Sequence, residues 1–187
     1  MQTTSTQDPT PRDAGAPEGR PRLVVSTDPV ALRIRAATVR DHAAMCALFD
    51  ELDALHREAR PDHFQPFTGP PRSRELVDGL ISDPASTILV AQTMEGLAGL
   101  VVVKSRAPWD FAGAAPRRVF EIDDIVVRGE LRNRRVGRRL LSAAVEWARA
   151  RRATHIEVAV HDFNRDAQRF YVGFGFSPSV HRLVMAA

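Results

Sequence analysis

The sequence predicts an α/β chain whose elements follow in the order β-α-α-β-β-β-α-β-α-β. Three observations carry that expectation. Leu140, Leu141, Ala144, Val145 and Ala148 recur at helical spacing, which predicts a helix over about 137–151. Two β-type runs, 87–92 and 97–104, flank a turn at Met94-Glu95-Gly96 and read as an antiparallel hairpin. A third run, 120–127, passes through a short basic loop straight into the long helix.

The remaining elements follow in chain order. Residues 1–30 are rich in Thr, Pro, Gly, Asp and Arg and carry almost no large apolar side chain before Leu23. Such a segment cannot offset its ordering entropy by burial, so a disordered tail is expected, with one domain over 31–187. In 31–36, Leu32, Ile34 and Ala36 alternate with Arg33 and Arg35, the pattern of a first strand. A helix starts at Thr38 or Asp41 and runs to about Glu58. A long connection containing Pro61 and Pro66 leads to a second helix over about 73–82. After the 137–151 helix come a strand over 155–160, a helix over 164–171 and a last strand over 181–185.

The junction at 120–141 is where chemistry is expected. N–H groups at the first turn of a helix lack intrahelical partners, and the helix dipole favours an anion there. The loop ahead of that turn carries Arg132, Arg134, Arg135 and Gly137, with Arg138 and Arg139 just inside the helix. Positive charge at a helix N-terminus opposes the dipole unless an anion is to be bound, and a diphosphate suits the arrangement.

Arg132-x-x-Arg135-x-Gly137 resembles the cofactor motif of the GNAT superfamily of acyl-CoA-dependent N-acyltransferases, written Gln/Arg-x-x-Gly-x-Gly/Ala. It departs from the motif at Arg135, where glycine is usual. Downstream, Asn164-x-x-Ala167-x-x-Phe170-Tyr171, then Gly173 and Gly175-Phe176, is similar to the family's second segment. The order of elements matches the family across nearly the whole chain after the tail. The resemblance implies a mostly antiparallel central sheet flanked by helices, with acetyl-CoA as donor and a primary amine as acceptor. It places the donor on Arg132, Asn133, Arg134, Arg135, Val136, Gly137 and Arg138. The donor's pantetheine arm would pair with the strand backbone at Ile125, Val126 and Val127, and Asn164 and Tyr171 would face it from the other side.

Acetyl transfer from a thioester to an amine needs a group that takes a proton from the ammonium and one that protonates the leaving thiolate. Tyr171, the chain's one tyrosine, suits the second task. Counting back from Arg132, Glu121 falls where histone-acetylating relatives place their base, and Asp123 where many small-molecule relatives carry an acid. Strict alternation puts Glu121 and Asp123 on one face and Asp124 on the other, and Asp124 reads as a carboxylate paired with an arginine. In this fold the acceptor cleft is lined by the connection between the first two helices and by the loop before the central strand. These supply His56, His63, Phe64, Phe67, Trp109 and Phe111, of which His56, Phe64, Trp109 and Phe111 are the substrate-binding candidates.

Composition narrows the other classes. The net charge of +3 is mild and much of the basic charge is local. A nucleic-acid surface would interleave aromatics with those arginines, and the loop has none. One cysteine, Cys46, excludes a disulfide framework, and the six scattered histidines give no metal motif. No run approaches the length of a membrane span, and no signal-peptide h-region opens the chain, so a cytoplasmic protein is expected. A regulatory module that binds the cofactor without turnover and a homodimer both stay open.

Overall fold

A computed structural model describes residues 32–107, 109 and 111–185. The expected tail at 1–30 lies outside the described residues. Strand β1 (Arg33–Ala36) is followed by helices α1 (His42–Ala59) and α2 (Arg74–Ser82). Strands β2 (Ser86–Thr93), β3 (Gly96–Arg106) and β4 (Val119–Val127) come next, then helix α3 (Val136–Ala150), strand β5 (His155–Val158) and helix α4 (Arg165–Phe174).

Local chemistry sets the boundaries. A single 3-10 turn, Val39–Asp41, leads into α1. There the Asp41 carboxylate accepts the Thr38 N–H at 2.8 Å and two Arg35 donors at 2.7 and 2.8 Å. The Ser73 hydroxyl accepts the Leu76 N–H at 3.2 Å and caps α2. The hairpin turn between β2 and β3 is closed by Gly96 at φ +131°, a conformation that favours glycine.

The strands stand in the order β1-β2-β3-β4-β5, all antiparallel except the β4–β5 pair. Helices cover both faces. Met45, Leu48, Phe49 and Val77 of α1 and α2 pack on Ile88, Val90, Leu100, Val102 and Val126. On the other face Leu140, Leu141, Ala144 and Ala148 of α3 pack on Leu89, Val101, Val103, Phe120 and Ile122. Burial on both sides is why β3 reads as an unbroken apolar run rather than an alternating one. Gly99 sits where β3, β4 and α3 meet: a Cβ there would lie 2.5 Å from the Val126 carbonyl oxygen.

Two expectations need correction. Residues 181–185 form no strand. Leu183, Val184 and Met185 are exposed, and these residues pair with no strand of the sheet. Alternation along β4 is also broken. Val102 pairs with Asp124 but Val103 pairs with Ile122, so Asp123 is the extra residue of a β-bulge. Ile122 and Ile125, three apart, both face α3, and Asp124 turns to the α1/α2 face. Among the described residues, no helix is long and apolar enough to cross a membrane.

Candidate active site

The bulge coincides with a fork in the sheet. β4 and β5 pair from Val119↔His155 to Ile122↔Val158 and no further. Beyond Ile122, β4 continues to Val127 with β3 on one side and no strand on the other. Its open edge therefore offers backbone donors and acceptors at 123–127 that no strand pairs, the Val127 carbonyl accepting instead from Arg132. The side chain of Val126 is buried under α1 and α2, and those of Ile125 and Val127 pack toward α3. At the open edge these three residues present their backbone rather than their side chains.

The open edge leads to the N-terminus of α3. Arg135 occupies the cap position at φ +63°, preceded by Asn133 at φ +60°. Left-handed backbone is met here by an arginine where the family motif has glycine, at a cost of roughly 1 kcal/mol. No side chain caps the helix. The first helical bond runs from the Arg139 N–H to the Arg135 carbonyl at 3.1 Å, so the N–H groups of Val136, Gly137 and Arg138 precede the ladder. Arg134 and Arg135 are exposed and, with Arg138 and Arg139, line a groove of about 600 Å³ beside α3. Uncapped N–H groups, four arginines and an open strand edge fit a diphosphate attached to an amide-bearing arm. The Val136 side chain is buried, which leaves only its backbone for this purpose.

Arg132 points back into the fork. Its Nε donates to the Val127 carbonyl at 3.2 Å, and its Nη2 lies 3.9 Å from Glu51 Oε2. The same Glu51 oxygen accepts the Gly129 N–H at 3.0 Å, tying α1 to the end of β4.

Across the fork stands α4. The Asn164 side chain accepts the Ala167 N–H at 3.0 Å and so serves as the helix cap, which leaves only its amide NH2 for a ligand. Tyr171, two turns on, is buried between Phe170 and Phe176, with ring centroids at 5.2 and 5.5 Å. Burial pushes its phenol pKa upward, and the charge of Asp124 adds to the effect. The hydroxyl stays protonated throughout the neutral range.

All three β4 carboxylates face away from α3. Asp123 is ion-paired with Lys104. Glu121 stands opposite Lys104 in β3 and Glu157 in β5, within the paired part of the sheet, and Glu157 is held by Arg106 at 3.0 Å. Asp124 lies 3.7 Å from Arg72, whose guanidinium also reaches Asp53 at 3.0 and 3.3 Å and covers the Phe49 ring at 4.6 Å. Burial raises the Asp124 pKa despite the arginine.

The aromatic candidates fall into two groups. His56 and Phe64 come together, centroids 5.1 Å apart, with His161 and Phe163 of the β5–α4 loop completing the cluster at 5.3–5.7 Å from His56. Trp109 and Phe111 stack on each other at 6.2 Å and are exposed on the β3–β4 connection. No ring pair joins the two groups among the described residues. His161 and Phe163 carried no periodicity or motif that would have singled them out. They join the site because β5 ends at Val158 and its following loop turns toward the end of α1.

Comparison with known proteins agrees with this architecture. The BH1408 protein of Bacillus halodurans, as a tetramutant, superposes with a TM-score of 0.77 at 24% identity, over 83% of this chain and 99% of that one. A transcriptional regulator from Bacillus halodurans C-125 gives 0.66 at 23% identity, over 83% and 99%. The aminoglycoside acetyltransferase AAC(6')-Iy, in complex with a bisubstrate analogue of CoA and acetylneamine, gives 0.65 at 16% identity, over 84% and 98%. At such identities the likeness is one of fold. No curated protein matches the sequence. The acetyltransferase (GNAT) family pattern does match, over residues 47–176, and with the forked sheet and uncapped α3 in place the chain belongs to the acetyltransferase (GNAT) family.

Proposed function

We propose that the protein is an N-acetyltransferase that moves an acetyl group from acetyl-CoA to a primary amine by direct transfer in a ternary complex. The observation that carries this reading is the open β4 edge running into the uncapped N-terminus of α3, with the buried Tyr171 across the fork.

Acetyl-CoA, when bound, supplies an activated thioester. The N–H groups of Val136, Gly137 and Arg138 and the surrounding arginines hold its diphosphate. Backbone groups of Ile125–Val127 and the Asn164 amide hold its arm. Tyr171, kept protonated by burial, is the donor to the departing sulfur. A β4 carboxylate takes the ammonium proton. The His56–Phe64–His161–Phe163 cluster and the Trp109–Phe111 pair border the acceptor side. An aminoglycoside is a reasonable first acceptor to try, since a structural relative is an aminoglycoside acetyltransferase.

The test is thiol release from acetyl-CoA with sisomicin, spermidine and a tripeptide bearing a free N-terminus. Amine-dependent release with a mass gain of one acetyl group on the acceptor is the expected result. Saturable acetyl-CoA binding without release for any amine would make the protein a binding module.

A further inference from the structure

The β4 bulge decides which carboxylate faces the fork. Without it, Asp124 would point into the α3 layer. With it, Asp124 lies on the α1/α2 face, two residues past Ile122, the last β4 residue paired with β5. Asp123 is bound to Lys104, and Glu121 lies within the paired sheet. Of the two carboxylates past the fork, Asp123 and Asp124, only Asp124 bears on Tyr171. Every charged neighbour of Asp124 is accounted for. Arg72 and Asp53 come from the α1/α2 side, Lys104 from β3, Asp123 from its own strand, and the Tyr171 phenol from α4. Asp53 holds the Arg72 guanidinium by two hydrogen bonds, so the cation beside Asp124 is fixed from behind.

We infer that Asp124 is the general base that takes the proton from the acceptor ammonium, and that Arg72, held by Asp53, is a positioning residue that sets its basicity. The inference rests on the acetyl-transfer reading above. The ammonium loses two protons overall. The first goes to Asp124 and frees the lone pair that forms the amide C–N bond. The thioester C–S bond breaks, and Tyr171 protonates the departing sulfur. The second nitrogen proton restores the phenol, and Asp124 returns its proton to water. One proton is released per turnover, as the reaction requires.

The experiment compares D124N, D123N and E121Q, with R72A and R72K, using whichever of sisomicin, spermidine or the tripeptide the wild type acetylates fastest. In the wild type, kcat/KM falls toward low pH along a limb set by the base. D124N lowers kcat/KM on the order of 10²-fold or more and abolishes that limb, with acetyl-CoA affinity retained. R72A moves the limb to higher pH, because an anion without its cation is harder to form, and R72K moves it back. A structural role alone would change rate or yield without moving the limb. The single tyrosine gives a second readout without turnover. A 13Cζ-tyrosine label yields one resonance, which shifts as Asp124 titrates, above the ordinary carboxylate range, in the wild type and loses that step in D124N. D124N within threefold of wild type, loss of the limb in E121Q or D123N instead, or a tyrosine step that survives D124N would each overturn the assignment. Failure of the acetyl-transfer reading would show differently, as a wild type that acetylates none of the amines.

Discussion

The Arg132 Nε donates to the Val127 carbonyl at 3.2 Å, so the end of β4's open edge is hydrogen bonded by the arginine assigned to the donor. The same guanidinium lies 3.9 Å from Glu51. Arg132 thus ties the basic loop back to the end of β4 and to α1. Its substitution by glutamine should weaken acetyl-CoA binding about 10-fold, the loss of one charge-assisted hydrogen bond. The melting temperature should barely move, since the side chain is half-exposed. Isothermal titration beside a thermal melt checks both. Unchanged affinity would mean that Arg132 stays on Val127 and Glu51 when the donor binds.

Tyr171→Phe isolates the hydroxyl. The ring lies between Phe170 and Phe176, so its packing is kept, and stability should change by no more than about 1 kcal/mol. If the phenol protonates the thiolate, kcat should fall on the order of 10²- to 10⁴-fold with donor affinity preserved. Because burial and Asp124 both push the phenol upward, Tyr171 should cause no alkaline fall in the wild-type rate between pH 7 and 9. A fully active Tyr171→Phe would pass the proton's source to water or to the substrate.

Most of this architecture was legible in the residues because local signals agreed with the final packing. The α3 face, the β2–β3 hairpin and the basic loop each had a period or a turn that tertiary contacts then used. The bulge had no such signal. Asp123-Asp124 in an alternating strand reads as one carboxylate per face, and only the register against Val102 and Val103 turns both the same way. Residues 181–185 failed in the opposite sense. Their pattern suits a strand, but a strand exists only where an edge receives it. The union of His56 with His161 was invisible because it depends on where β5 stops, far along the chain from α1.

Asp41 should make stability depend on acid. Hydrogen bonds from Arg35, together with the Thr38 N–H, lower its carboxyl pKa from 3.8 to about 2 in the folded protein. A depressed folded value contributes stability that is complete above the unfolded pKa and is lost as pH falls through the folded one. The contribution is roughly 2 kcal/mol at neutral pH, and it disappears between about pH 5 and 2. Asp41→Asn should lower the melting temperature at pH 7 by several degrees and leave it nearly unchanged at pH 2. Equal destabilisation at both pH values would show that the carboxylate acts by shape rather than by charge.

Gly137 separates packing from ligand contact. Its missing side chain faces the protein: a Cβ would meet Phe170 Cζ and Val127 Cγ2, each at 3.6 Å, which is ordinary contact. Gly137→Ala should therefore fold well, gain about 0.5–1 kcal/mol from removing a glycine inside a helix, and bind acetyl-CoA within about threefold of wild type. Gly137→Val is different. Its γ carbons reach past the Cβ into the Phe170 ring, and Phe170 packs at 5.2 Å on Tyr171. Overpacking of that kind costs about 1–3 kcal/mol and should shift Tyr171, so melting temperature and kcat should fall together. Thermal melts, donor titration and kcat for the two variants decide the matter. An alanine variant of wild-type stability that binds acetyl-CoA ten times more weakly would place the donor's phosphate against Gly137 itself, and the contact with Phe170 would then be incidental.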